Sequence, residues 1–163
     1  MFFYLLIGSI MYAWYYYRTH PTIRFKRLHP DAMVPTYASN GAAGFDLSVC
    51  CPGETICVRA NSVSMLPTGF AMAVPPNHEM QIRSRSGMTK RGLVVANGVG
   101  TIDSDYRGEV KILLWNRSGD DVVMSHGARV AQGVVTPVNR VSFVERERLG
   151  DTARGTNGFG STG

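Results

Sequence analysis

The chain has 163 residues, enough for one domain with a sizeable core and too few for a second. Lys and Arg outnumber Asp and Glu by 17 to 12, a formal +5, but the basic residues stand singly or in pairs. That spread excludes the basic stripe that tracks a nucleic-acid backbone, so no direct nucleic-acid binding is expected and a small anionic ligand fits better.

In chain order, the first element is "MFFYLLIGSIMYAWYYY", residues 1–17, which carries no charged side chain. As a helix, residues 2–17 would span roughly 24 Å, short of the ~30 Å apolar core of a bilayer. A cleavable signal should open on positive charge and end on small residues, and this segment does neither. Basic residues follow at Arg18, Arg24, Lys26 and Arg27, and would keep the domain on the cytoplasmic side if the segment inserts. Residues 1–21 are thus expected to be an extension outside the fold, with membrane association through residues 2–17 as the alternative, and the domain itself is expected to be cytoplasmic. From Thr22 on, short apolar or alternating segments recur: "TIRFKRL", "FDLSVC", "TICVRA", "FAMAV", "MQIRS", "LVVAN", "EVKILLWN", "RVAQGVV" and "VSFVE". Gly, Pro, Asn and Ser punctuate them, which is strand spacing. No stretch holds a helical period for three turns, though "RSGMTKRG" allows one short helical turn. The expectation is an all-β barrel or sandwich over residues 22–150, followed by a Gly-rich tail, 151–163, that cannot fold onto a core unaided.

Cys50, Cys51 and Cys57 are odd in number and match no paired CxxC zinc arrangement. They read as reduced core thiols. His20, His29, His78 and His126 lie far apart without metal-ligand spacing and read as solvated loop histidines.

Residues 100–110, "GTIDSDYRGEV", crowd Asp103, Asp105, Arg107 and Glu109 between the apolar runs "LVV" and "VKILLW", where the flanks ask for a buried hairpin. Ser104, Asp105 and Gly108 are ordinary turn residues. Asp103 is not explained that way: directly after Ile102 at a strand end, its carboxylate would lose hydration and belongs there only if hydrogen-bonded or put to use. In "RSRSGM", Arg85 offers a planar fork to phosphate, and Ser86 with the backbone N–H groups around Gly87 supplies further donors. The tail "RGTNGFGSTG" combines Arg154, Ser161, Thr162 and close-approach glycines with the flat face of Phe159, yet lacks the Lys and following helix of a P-loop. In "GARVAQGVV", Arg129 and Gln132 stand among small apolar residues, where a surface arginine and an edge glutamine are equally good readings.

Taken in order, "AAGFDL", "RSRSGM", "NGVGTIDSDYRGEV", "GARVAQ" and "RGTNGFGSTG" resemble the five motifs of the trimeric deoxyuridine triphosphatase (dUTPase) family over roughly residues 22–163. The resemblance implies a β-barrel of jelly-roll type and a homotrimer whose C-terminal arms close over neighbouring sites. It also implies hydrolysis of dUTP to dUMP and pyrophosphate with Mg2+. By the same resemblance, Asp103 deprotonates the attacking water, and Asn97 with the hairpin backbone at Gly100, Thr101 and Ile102 reads the uracil edge. Tyr106 lies against the deoxyribose. Arg85, Ser86, Gly87 and Gln132 hold phosphate and water, Asp46 holds magnesium-bound waters, Arg154, Gly160 and Ser161 clamp the outer phosphates, and Phe159 stacks on uracil. Two departures stand out: Ala128 replaces the acidic residue usual before the arginine of motif four, and the link "GMTKRG" is about one residue shorter than is common in the family. The related dCTP deaminase branch shares barrel and trimer, but Tyr106 after "DSD" and the complete "GFGSTG" argue against it. A binding or regulatory role toward an unknown protein partner, with catalysis incidental, stays open on sequence.

Overall fold

The computed structural model describes Met11 and residues 21–161. Apart from Met11, the N-terminal segment with its expected membrane association lies outside the described residues, as does His20. No helix among the described residues is long and apolar enough to cross a membrane. The elements are β1 (Arg24–Arg27), β2 (Thr36–Tyr37), β3 (Phe45–Ser48), β4 (Thr55–Val58), β5 (Val63–Ala73), β6 (His78–Ser84), α1 (Ser86–Lys90), β7 (Leu93–Val95), β8 (Gly100–Ile102), β9 (Glu109–Asn116), β10 (Val122–Ser125) and β11 (Arg129–Pro137). They form an antiparallel sheet β1-β5-β9-β7, a pair β10-β4 and a second large sheet β2-β3-β11-β6-β8. The all-β expectation holds, and the one described helix of this domain falls where "RSGMTKRG" allowed a turn.

Period-two patterning fixes which face of each strand is dry. Along β9, Val110, Ile112, Leu114 and Asn116 are buried while Lys111, Leu113 and Trp115 face outward. Phe45 and Leu47 of β3, Met80 and Ile82 of β6, and Val130 and Ala131 of β11 enter the same core from the opposite sheet. Each fully buried Leu, Ile or Phe contributes about 1.5–3 kcal/mol over leaving it exposed. Asn116 is the polar exception. Its Nδ2 donates to Val58 O at 3.0 Å and Asp120 O at 2.8 Å, while its Oδ1 accepts from Ser118 N at 3.0 Å and Ser118 Oγ at 2.7 Å.

Several expectations are corrected. The pattern reads β5 only from Phe70, because Pro67 and Gly69 look like breakers; the strand in fact begins at Val63 and absorbs both in a register shift between Pro67 and Ala71. Gly69, at φ +73, is obligatory there, since a Cβ would lie 2.7 Å from Ala32 Cβ and 2.8 Å from Cys50 Sγ. "VSFVE" forms no strand: residues 138–150 carry no regular structure and are exposed, with Phe143 95% accessible, and among the described residues no strand pairs with them. The runs "LVV" and "VKILLW" do pair, as β7 with β9, but the segment between them crosses to the other sheet, where β8 pairs with β6. Cys57 is exposed and within 3.7 Å of Asp121 Oδ2, so only Cys50 and Cys51 are core thiols. His126 is half-buried, its Nδ1 facing the Cys51 N–H at 3.2 Å, rather than solvated. Burial, then the nearby Glu109 and Asp31 carboxylates, push the Cys50 thiol up; burial and Glu54 do the same to Cys51.

Asn116→Leu keeps the branched shape, adds some bulk and strips four hydrogen bonds from a dry site, and should lower unfolding free energy by about 2–4 kcal/mol, read as the urea midpoint at fixed protomer concentration. With Ellman's reagent at pH 8, Cys57 should react promptly in the single folded chain, whereas Cys50 and Cys51 should react only after denaturant is added. The sign of the pH effect follows: the unfolded chain releases the Cys50 and Cys51 protons first, so stability should decline as pH rises past their ordinary value of 9.0.

Candidate active site

Strand β11 is the spine of the candidate site. Its register sets Gln132 opposite Asp46 on β3 and opposite Arg83 on β6, so three polar side chains from three strands share one sheet face. Gln132 Nε2 donates to Ser84 O at 3.0 Å. Gly44 makes room for this glutamine, because a Cβ there would come within 2.6 Å of Gln132 Oε1. Asp46 is the hub: Oδ1 receives Arg85 Nε at 2.8 Å and Oδ2 receives Arg129 Nη1 at 3.2 Å. Arg85 Nη1 also donates to Arg129 O at 2.9 Å. The Asp46 side chain is only 14% exposed, so the carboxylate holds both guanidiniums in a partly dry setting where their attraction is less screened than in bulk water. Arg83, Arg85 and Arg129 outnumber Asp46 and Glu79 on this face, a composition suited to an anion.

Ala128 does not leave Arg129 unsupported. The acidic support comes from Asp46 across the sheet, while the Ala128 carbonyl accepts Val49 N–H at 2.9 Å. The short link after motif two closes in one helical turn: Met88 N and Thr89 N both bond Arg85 O at 3.0 Å, and Gly92, at φ +81, ends it against Ser118. Ser86 and Gly87 open this turn at the surface beside Arg85.

The β8 residues and the loop that follows them gather elsewhere. Gly100 is buried and pairs with Ile82, and a Cβ on it would meet Ile82 and the Asn97 amide at 3.2 Å. Thr101 pairs with Gln81 and Ile102 with Met80, so the chain reaches Asp103 at the far end of β6 from Arg85. From Met80 to Arg85 an extended strand covers roughly 17 Å, and Asp103 lies beyond Ile102 on the other side. Asp103 borders a cleft of about 210 Å³ lined also by His78, Glu79, Asp105 and Arg140. It is exposed in the single chain, which corrects the expectation that its own hairpin desolvates it. Tyr106 folds back over Gly108, with a Cβ on Gly108 only 2.4 Å from the phenol oxygen, and the hydroxyl donates to Glu109 O at 3.0 Å. The residue is still 43% exposed.

The tail joins neither cluster. Residues 137–157 are exposed throughout; Arg154 Nε donates to Asn157 O at 2.9 Å, Ser161 N to Gly158 O at 3.2 Å, and Phe159, at φ +50, stands fully in solvent. Motifs one, two and four are thus brought together, while the hairpin and the tail stay apart from them. Sequence reading missed Ser84, whose hydroxyl receives the Val95 N–H at 2.8 Å and whose carbonyl holds Gln132. It also missed the row Glu79–Gln81–Arg83, joined by bonds of 2.7 Å and 2.9 Å along the outer face of β6. Polar residues two apart on a strand were the available signal.

A family model described as dUTPase matches residues 31–163. The deoxyuridine 5'-triphosphate nucleotidohydrolase of Wolinella succinogenes is 46% identical over 142 residues, covering 86% of this chain and 93% of that protein. That of Caulobacter vibrioides is 48% identical over 145 residues, covering 86% and 94%. Among solved structures, a variant of the phage 80alpha dUTPase shares the fold with a TM-score of 0.76 at 23% identity, covering 86% of this chain and 98% of that one. The Staphylococcus bacteriophage 80alpha dUTPase with dUpNHpp gives 0.75 at 23% identity, covering 87% and 98%.

Proposed function

The chain belongs to the dUTPase family, and on that premise we propose that it hydrolyses dUTP to dUMP and pyrophosphate at sites completed by neighbouring copies in a homotrimer. The observation that carries this reading is the separation of the two halves of the site. One protomer holds an anion-binding cluster, Arg85, Gln132 and Arg129 around Asp46, and at the other end of β6 a hairpin carrying Asp103 and Tyr106. Neither half is sufficient alone, and an extended strand keeps them apart. A second copy bringing its Asp103 loop to the first copy's cluster makes a complete site, and the tail of residues 151–163 then serves as the lid of a neighbour.

In this mechanism Arg85 and Ser86, with the backbone of Gly87 and the side chain of Gln132, hold the phosphates. Arg85 is pre-set for that task because Asp46 fixes its Nε and the Arg129 carbonyl fixes its Nη1, so little rotamer freedom is lost on binding. Asn97 and the backbone of Gly100, Thr101 and Ile102 read the uracil edge, and Tyr106 lies against the deoxyribose and leaves no room for a 2′-hydroxyl. Asp103 accepts the proton of the water that attacks the α-phosphorus. The dry surroundings that raise the proton affinity of such a base come from the neighbour and the closed tail, with Arg154, Gly160 and Ser161 on the outer phosphates and Phe159 on the base.

The residues present make no resident metal centre: among the described residues no three His, Cys, Asp or Glu are arranged to hold a metal ion, and both Asp46 oxygens are engaged by guanidiniums. They fit a magnesium ion carried by the triphosphate: Asp46 would accept from ion-bound waters through its remaining lone pairs, and the ion would supply charge neutralisation at the phosphate oxygens. A dUMP-forming enzyme of this kind limits uracil incorporation into DNA and feeds dTMP synthesis.

Pyrophosphate release, read with pyrophosphatase and malachite green, should follow dUTP and not dCTP, dTTP or UTP. Asp103→Asn should keep nucleotide binding and lose at least ~100-fold in rate; a near wild-type rate would remove Asp103 from the role. The shared-site reading has its own test. Asp103→Asn and Arg85→Met chains, each inactive alone, should on refolding together regain about a quarter of the wild-type sites, because random mixing pairs intact halves that often in a symmetric ring. No recovery would mean that both halves serve a site within one chain.

A further inference from the structure

Arg107 and Glu109 have no role in the site as described, yet both lie in the loop that carries Asp103 and Tyr106. Arg107 is exposed, but its guanidinium turns back onto its own loop: Nη1 donates to Ser104 O at 2.8 Å and to Tyr106 O at 2.7 Å. A long, mobile side chain gives up rotamer freedom to do this. The Tyr106 N–H donates to Asp103 O at 3.2 Å, so the three bonds together close residues 103–106 into a single turn.

The root of the loop is fastened separately. Tyr106 hydroxyl donates to Glu109 O, and Glu109 Oε1 accepts the Gly69 N–H at 2.9 Å. Gly69 sits in the β5 register shift, where the ladder to β9 is interrupted, and the carboxylate supplies the partner that the ladder does not. Beside it, the buried Thr68 hydroxyl donates to Val110 O at 2.6 Å. The exposed hairpin is thereby tied to one of the most deeply buried stretches of the barrel.

From this geometry we propose that Arg107 and Glu109 are positioning residues: Arg107 closes the tip of the loop, Glu109 anchors its root to the β5 bulge, and together they hold Asp103 and Tyr106 in one fixed relation. The inference rests on the roles given above to Asp103 and Tyr106. A misplacement of about 1 Å costs up to ~100-fold in rate, so a loop loosened at its tip loses turnover without losing affinity in proportion.

The test compares Arg107→Met, Arg107→Lys, Glu109→Gln and Glu109→Ala with Tyr106→Ala, each checked for native circular dichroism and gel-filtration volume. Arg107→Met should lower kcat on dUTP roughly tenfold or more, with KM changed far less, and its dUTP-to-UTP preference should fall toward that of Tyr106→Ala. Arg107→Lys should recover part of the loss, and Glu109→Gln, which keeps the acceptor, should stay near wild type while Glu109→Ala does not. A rise in KM alone in Arg107→Met would make it a direct phosphate ligand and overturn the proposal. So would wild-type selectivity in Arg107→Met when Tyr106→Ala has lost it, a result that leaves the reading of Tyr106 intact. If Tyr106→Ala itself keeps full selectivity, the sugar reading fails, and amide exchange over residues 103–106 decides the brace: faster exchange in Arg107→Met supports it, and unchanged exchange overturns it.

Discussion

An extended strand cannot bring its two ends together, and that constraint organises this molecule. Strand β6 carries the approach to Arg85 at one end and, through its pairing with β8, the approach to Asp103 at the other. Roughly 3.3 Å per residue separates them, with no bend between. On the function proposed above, which needs a phosphate ligand and a general base at one phosphorus, that separation calls for two chains, each presenting its half to a neighbour. The tail follows the same logic: it carries donors and an aromatic face, but buries none of them on its own domain.

Within each half, order comes from a few directed bonds laid over the apolar core. Asp46 is worth more as a clamp than as a lone charge, since it aligns two guanidiniums from β11 and the β6–α1 junction before any ligand arrives. Preorganisation of this kind saves side-chain entropy at binding. The hairpin obeys a different rule. It is exposed, so packing cannot hold it, and backbone carbonyls caught by Arg107, with the Gly69 amide caught by Glu109, do so instead.

Legibility in the sequence was uneven for physical reasons. Alternation in "EVKILLWN" and "FDLSVC" reports burial directly, so β9 and β3 were readable from residue type. β5 was half-read because a bulge can absorb Pro67 and Gly69, and nothing local signals that an interruption is tolerated. "VSFVE" misled in the other direction: it has the alternation of a strand, but a strand also needs an edge to pair with, and pairing is not a property of one segment. Asp103 stands out in the sequence as a carboxylate without a turn's excuse, yet its own loop leaves it exposed, because desolvation depends on what covers the loop and not on the segment itself.

By itself, the sequence determined the all-β class, the motif residues and, through 46–48% identity with its relatives, the family, since these depend on residue types and their order along the chain. Only the tertiary structure decided which motifs meet. It showed that Asp46 spans Arg85 and Arg129, that Ala128 costs Arg129 nothing because its partner lies across the sheet, and that Asp103 stands a strand's length away from all of them. The reason is that register and strand order are set by long-range pairing between segments as far apart in the chain as Phe45 and Gly133, and no local pattern carries that information.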